Sequence, residues 1–210
     1  MADDFLKRVY DLSGQQETDE YYTEWAATYD EELKRTGYRS PKRCADALLK
    51  FVDSEAAVLD IGCGTGLSGA ALREAGFTDV SGTDVNPEML AIAAKAGIYR
   101  QTWLTDLTDP FPFEPGTYAA IAAIGVIGVG AAPASLLADA LRALAPGGHL
   151  VFSYNDHALA QPEFSEALDD VVEVGLAEQV FAEHGPHLEG LGSESTVYVL
   201  RAIAALEQAP

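Results

Sequence analysis

Two periods of hydrophobicity alternate along the chain. Short apolar runs at Ala57–Ile61, Asp79–Thr83, Tyr99–Leu104, Tyr118–Ile124 and Gly148–Tyr154 read as strands. The segments Leu67–Ala75, Pro87–Ala96 and Pro133–Leu144 between them repeat their apolar residues every three to four positions and read as helices. Strands and helices in alternation form βαβ units, and these build a parallel sheet with both faces covered. Upstream, Glu20–Lys34 predicts a helix with Tyr22, Trp25, Ala26 and Tyr29 on one face, and Ser40-Pro41 predicts a helix start with Ser as N-cap and Pro in the first turn. The rhythm changes at the end. After a helix around Phe164–Val174, the segments Ala177–Glu183 and Thr196–Ala204 both read as strands joined by the polar stretch HGPHLEGLGSES, so they pair antiparallel. The expected class is α/β: a three-layer sandwich around a mostly parallel sheet that closes with an antiparallel hairpin.

Length and charge narrow the picture. A chain of 210 residues suits one α/β domain, expected to span residues 1–210. Acidic residues number 33 against 13 basic ones, a formal net charge of −20, and such a field repels phosphate backbones and anionic lipid. No nucleic-acid or membrane partner is therefore expected. The longest apolar run, Ala119–Ala134, is broken by glycines and falls short of a membrane span. Two cysteines, Cys44 and Cys63, suit a reducing compartment, and the start MADDFLKRVYDL lacks a basic segment leading into an apolar one. A cytoplasmic location is expected.

The chemistry concentrates in VLDIGCGTGLSG, residues 58–69, where a strand runs into a glycine-rich loop. Gly64, Gly66 and Gly69 spell G-x-G-x-x-G, with Asp84 placed 20 residues after Gly64, which is the dinucleotide fingerprint. Asp60, Gly62, Gly64 and Gly66 also spell D-x-G-x-G-x-G, the loop of enzymes that use S-adenosylmethionine. The acids discriminate. A dinucleotide site would place Asp60 inside a buried strand beside a pyrophosphate, at a high desolvation cost. S-adenosylmethionine brings an ammonium and a sulfonium and no phosphate, so Asp60 at the strand tip can accept from the ammonium. Asp84 ends the second strand and can accept from ribose hydroxyls, at about 1.5–3 kcal/mol per charge-assisted bond. Asp106 follows the third strand, where it can accept from the adenine amino group while the Leu107 amide donates to a ring nitrogen. A short dehydrogenase would also carry a Tyr-x-x-x-Lys pair after the loop, yet the last lysine is Lys95.

The stretches LDIGCGTG (59–66), GTDVNPEML (82–90), TDLTDPFPF (105–113) and LAPGGHLVFSYND (144–156) resemble the class I S-adenosylmethionine-dependent methyltransferases over nearly the whole chain. YYTEWAATYDEELKRTGYRSP (21–41) resembles small methyltransferase-like proteins of the kind encoded in the Williams–Beuren syndrome region. The resemblance implies a Rossmann-like, seven-stranded sheet with its last strand antiparallel. It also implies a helical lid over residues 1–53 and a cofactor-binding core over 54–210. By the same resemblance Val85 and Met89 flank the cofactor, Met89 covering adenine, and Ile124 and Gly125 offer backbone to the methionine part. Cys63 is a small residue filling the turn. Tyr22 and Tyr29 offer aromatic faces to the sulfonium, a cation–π contact of about 0.5–2 kcal/mol. Tyr118-Ala119-Ala120-Ile121 departs from the family's Phe-Asp-x-Val pattern.

On the acceptor side, Asp156 and His157 follow the fifth strand and are the candidate proton acceptors. His184 and His187 fall in the polar stretch without a third ligand at fixed spacing, so no metal is expected. Methyl transfer to a small-molecule acceptor is the function these residues favour. A non-catalytic binder of S-adenosylmethionine or its demethylated product is the alternative.

Overall fold

The structure, a computed structural model, describes residues 15–26, 28–106, 111 and 113–203. Three helices lead: α1 (Gln15–Trp25), α2 (Tyr29–Thr36) and α3 (Ser40–Leu48). Then β1 (Ala57–Ile61), α4 (Leu67–Ala75), β2 (Asp79–Asp84), α5 (Pro87–Ala96) and β3 (Thr102–Leu104) alternate. They are followed by β4 (Ala120–Ala123), α6 (Leu136–Ala143), β5 (His149–Asn155), α7 (Asp156–Leu159) and α8 (Pro162–Glu173), and the chain closes with β6 (Ala177–Leu188) and β7 (Ser193–Ala202). All seven strands form one sheet in the order β3-β2-β1-β4-β5-β7-β6, parallel from β3 to β5, with β7 antiparallel to both its neighbours. The class I methyltransferase architecture expected from the sequence is the one present. No helix among the described residues is long and apolar enough to cross a membrane.

Strand alternation sorts the core into two layers. Leu59, Ile61, Ile121, Leu150 and Phe152 pack under α6 and α8, and Val58, Val80, Ala122, Val151 and Val199 pack under α3 and α4. Successive residues of one strand thus feed opposite layers, which is why these strands are apolar throughout rather than alternating with polar residues. The order of strands reverses between β1 and β4, and ligands in such sheets bind outside the carboxyl ends of the strands at that point.

Three local expectations change. The helix expected over Glu20–Lys34 is divided between α1, which ends at Trp25, and α2, which begins at Tyr29, with the Thr28 hydroxyl donating to Glu32 Oε1 at 2.8 Å at the start of α2. Ser40 is the first helical residue rather than the cap, which is Arg39. Its hydroxyl is engaged across the fold, 2.8 Å from His187 Nδ1 and 3.0 Å from Ser195 Oγ. The polar stretch HGPHLEGLGSES is mostly strand. β6 runs on to Leu188, and only Glu189–Gly192 turns the hairpin. A partner strand supplies the backbone hydrogen bonds that the local sequence does not announce.

Tyr154 is fully buried between Phe152 (ring centroids 4.9 Å apart) and Phe164 (5.7 Å), and its hydroxyl has no protein partner among the described residues. A buried hydroxyl left unpaired costs about 1–3 kcal/mol. Tyr154→Phe should keep the ring packing and raise the chemical-denaturation midpoint. A loss of stability would show that the hydroxyl has a role that the packing does not reveal.

Candidate functional site

At the carboxyl ends of β1, β2 and β4 lies a cleft with about 920 Å³ of empty space, its open mouth included. The loop after β1 shapes its floor. Gly62 and Gly64 hold positive φ (62° and 54°), which favours glycine. At Gly62 space forbids a side chain as well, because a Cβ would lie 2.4 Å from Val126 Cγ2 on the loop after β4. The loop therefore lies flat against its neighbour and presents backbone to the cleft.

Asp84, at the tip of β2, controls the centre. Its Oδ2 accepts from the Gly64 amide at 2.7 Å and its Oδ1 from the Asn86 amide at 2.8 Å. Asn86 in turn caps α5 by accepting from the Met89 amide at 3.0 Å, and its side-chain amide donates to Thr23 Oγ1 on α1 at 2.9 Å. A second tie to the leading helices is the Thr65 hydroxyl, which donates to Asp30 Oδ1. Tyr22, Trp25 and Tyr29 form the roof as a cluster of rings, with Trp25 and Tyr29 edge to face at 4.6 Å. Burial and the neighbouring Tyr22 hold the Tyr29 phenol well above its ordinary pKa, so it stays a neutral hydroxyl.

Of the residues singled out from sequence, the structure gathers Tyr22, Tyr29, Gly62, Gly64, Asp84, Val85, Met89, Ile124 and Gly125 around this one cleft. Others lie elsewhere. Asp60 is not at an open strand tip. Strand alternation turns it under α4, where it is fully buried and its Oδ2 accepts from the Ser68 hydroxyl at 2.6 Å and the Tyr99 hydroxyl at 2.7 Å. Tyr99 occupies the space a side chain at Gly69 would need, a Cβ there lying 2.3 Å from the ring. The third glycine of the apparent dinucleotide fingerprint is thus explained by this ring. Cys63 packs with Leu90, Ala93 and Tyr99, and burial raises its thiol far above its usual range. Gly66 caps the start of α4 and faces Ile98. Asp106 is exposed and outside the lining, its neighbour Thr105 reaching the cleft instead. Leu107 lies outside the described residues.

The proposed proton acceptors are also displaced. Asp156 and His157 are exposed on α7, and neither lines the cleft. Asp156 Oδ1 is instead 2.9 Å from His184 Nε2, whose other nitrogen is 3.9 Å from Glu194 Oε2. His184 and His187 are both in β6, His184 exposed and His187 buried, and they do not act as a pair.

Sequence reasoning missed a second cavity, which adjoins the first. The two share Tyr22, Tyr29, Gly125 and Ala131, and the second adds Trp25, Leu33, Tyr38, Ser153, Asn155 and His187 among others. Its residues come from α1, α2, the loop after β4, β5 and β6 and are scattered over the chain, so no local motif announces it. The His187–Ser40 pairing could not be read from spacing, since 147 residues separate the two.

An α/β sheet with a glycine-floored cleft at its switch point, an acid at the second strand tip and an aromatic roof defines a protein built to bind a nucleoside-bearing cofactor. Comparison with known proteins gives the family. Residues 34–189 match the methyltransferase domain family. The chain is 32% identical over 169 residues to human Methyltransferase-like protein 27, covering 77% of this chain and 69% of that protein. It is 38% identical over 98 residues to the 18S rRNA (guanine-N(7))-methyltransferase of Bos taurus, a match that covers 47% of this chain and 33% of that one. A solved TehB-like SAM-dependent methyltransferase from Corynebacterium glutamicum superposes with a TM-score of 0.62 at 26% identity, covering 86% of this chain and 97% of the other. The chain belongs to the S-adenosylmethionine-dependent methyltransferases, with S-adenosylmethionine as methyl donor.

Asp60 provides a test of the local electrostatics. Burial raises its carboxyl from 3.8 to about 7, outweighing the Ser68 and Tyr99 hydrogen bonds that pull the other way. The folded state thus holds this proton more tightly than the unfolded chain. The stability it contributes is complete below the unfolded pKa and is lost as the pH rises through 7. Asp60→Asn keeps an oxygen for both hydroxyls and carries no charge. Its melting temperature should gain on that of the parent as the pH is raised from about 5 to 8. A difference constant across that range would contradict a protonated Asp60.

Proposed function

We propose that this methyltransferase acts on a small-molecule acceptor held in the second cavity, with the donor in the first. One observation carries the reading: the two cavities are contiguous, meeting at Tyr22, Tyr29, Gly125 and Ala131, and the second is walled mainly by aromatic and aliphatic side chains. Among the described residues neither lining contains a lysine or arginine. Together with a formal net charge of −20, this disfavours a polyanionic substrate. The bovine relative is named for action on rRNA, but the match covers only 33% of its length.

When bound, S-adenosylmethionine supplies an electrophilic methyl group on a sulfonium, and an in-line displacement passes it to the acceptor. The chain's own work is positioning. In this reading Asp84 receives the ribose hydroxyls, Met89 and Val85 flank the base, and the Gly62–Gly64 backbone with Gly125 faces the amino-acid part. Tyr22 and Tyr29 turn ring faces toward the cation. The roof anchored by Thr23–Asn86 and Asp30–Thr65 excludes water and aligns the acceptor. Alignment of that kind can contribute up to about 7–11 kcal/mol of barrier lowering.

Calorimetric titration should give binding of S-adenosylmethionine and S-adenosylhomocysteine and none of NAD. Asp84→Ala should weaken donor binding about 10- to 100-fold, the loss expected for charge-assisted hydrogen bonds. Unchanged affinity would contradict the ribose assignment. With methyl-labelled donor, label should pass to members of a small-molecule panel and leave purified ribosomal RNA unlabelled. Labelled RNA would overturn the small-molecule reading.

A further inference from the structure

The second cavity contains one polar side chain whose chemical state can be deduced from its surroundings. His187 lies in β6, 7% exposed, with its ring edge to face against Tyr38 at 5.2 Å. Its Nδ1 is 2.8 Å from the Ser40 hydroxyl, Ser40 is 3.0 Å from the Ser195 hydroxyl, and Arg43 Nη1 is 3.1 Å from Ser195 Oγ. Ser40 and Ser195 are both fully buried. A guanidinium can only donate, so Arg43, which also faces the Pro186 and Ser195 carbonyls, gives the Ser195 hydroxyl proton no acceptor. If the imidazole donated from Nδ1, one of the two buried hydroxyl protons would have no acceptor, at a cost of about 1–3 kcal/mol on general grounds. Only the opposite direction satisfies every group: Arg43 donates to Ser195, Ser195 to Ser40, and Ser40 to Nδ1. The ring's one proton is then on Nε2. Burial first, and the charge of Arg43 second, hold the imidazole down to about 4, so it is neutral at physiological pH.

His187 therefore offers the cavity an uncharged N–H donor. It is neither a base nor a cation. Among the described residues no carboxylate, lysine or arginine lines the cavity, so none of them balances a charge on a guest. Resting on the methyltransferase reading above, we propose that the second cavity selects an uncharged molecule with an apolar, flat body and a lone-pair oxygen, and that the Nε2–H of His187 is the donor that recognises this oxygen. Tyr38 takes part from the other side. Its hydroxyl sits 2.3 Å from where a Cβ at Gly125 would be, so the glycine lets it reach the boundary between the cavities. The acceptor would thus be gripped by its oxygen at the His187 end and present its reacting atom toward Gly125.

The test uses nitrogen-detected NMR of the imidazoles in the full chain saturated with S-adenosylhomocysteine, with acetophenone and benzoate as matched neutral and anionic probes. His187→Gln assigns the resonance. At pH 7 the His187 ring should show the Nε2–H tautomer, acetophenone should shift it, and benzoate should bind more weakly. His187→Leu should weaken acetophenone about 3- to 10-fold, the value of one neutral hydrogen bond, and His187→Gln, which retains an N–H donor, should weaken it less. An Nδ1–H or doubly protonated ring overturns the proposal without any variant. So does benzoate binding as tightly as acetophenone, acetophenone failing to bind, or His187→Leu leaving its affinity unchanged. Failure of S-adenosylhomocysteine to bind would bring down the methyltransferase reading instead, while the tautomer would still be read from the unliganded chain.

Discussion

The grip of Asp84 on two backbone amides organises everything around it. One oxygen holds the Gly64 amide in the loop after β1 and the other holds the Asn86 amide at the start of α5, at 2.7 and 2.8 Å. A carboxylate accepting from backbone N–H groups makes charge-assisted bonds, about twice as strong as neutral ones. The loop that floors the cleft and the helix that walls it are thereby fixed to one atom group. Asn86 extends the arrangement to the roof through Thr23, so floor, wall and roof share one polar scaffold.

The same economy explains why the acids of the loop region differ in role. Asp84 has amide donors and access to the cleft, which suits a carboxylate that meets ligand hydroxyls. Asp60, two residues before Gly62, is beneath α4 with Ser68 and Tyr99 as its donors. There it ties the start of α4 to Tyr99, whose ring fills the space left by Gly69. One acid lines the cleft and the other supports the loop from behind. Position along the strands separates them: Asp60 pairs with Gly82 inside the sheet, whereas Asp84, two residues further along β2 and on the same face, reaches the carboxyl tip.

The two cavities differ in how they are built. The donor cleft is assembled from strand ends and the loops directly after them, so its residues come in short runs. The second cavity is assembled from the leading helices, the loop after β4, β5 and the final hairpin, and its His187 is tied to a chain of hydrogen-bonding groups that runs through two serines to Arg43. A donor shared by many enzymes needs a repeated motif, whereas acceptor choice resides in surrounding elements that vary independently of the sheet.

What the sequence determined by itself was local and periodic. The bounds of Ala57–Ile61, Leu67–Ala75 and Pro87–Ala96 follow from hydrophobic period and from glycine and proline punctuation, and they are those of β1, α4 and α5. The glycine loop and Asp84 were legible because a backbone that must turn sharply and face a ligand needs glycine at fixed spacing. Tertiary structure decided the rest. Asp60 turned inward because the register of β1 placed it under a helix, and Asp156 and His157 fell outside the cleft because α7 carries them to the surface. The state of His187 depends on Ser40, 147 residues away in the chain, and on Arg43 beyond it. Side-chain orientation, burial and protonation are set by partners that only folding brings together, and no period along the chain encodes them.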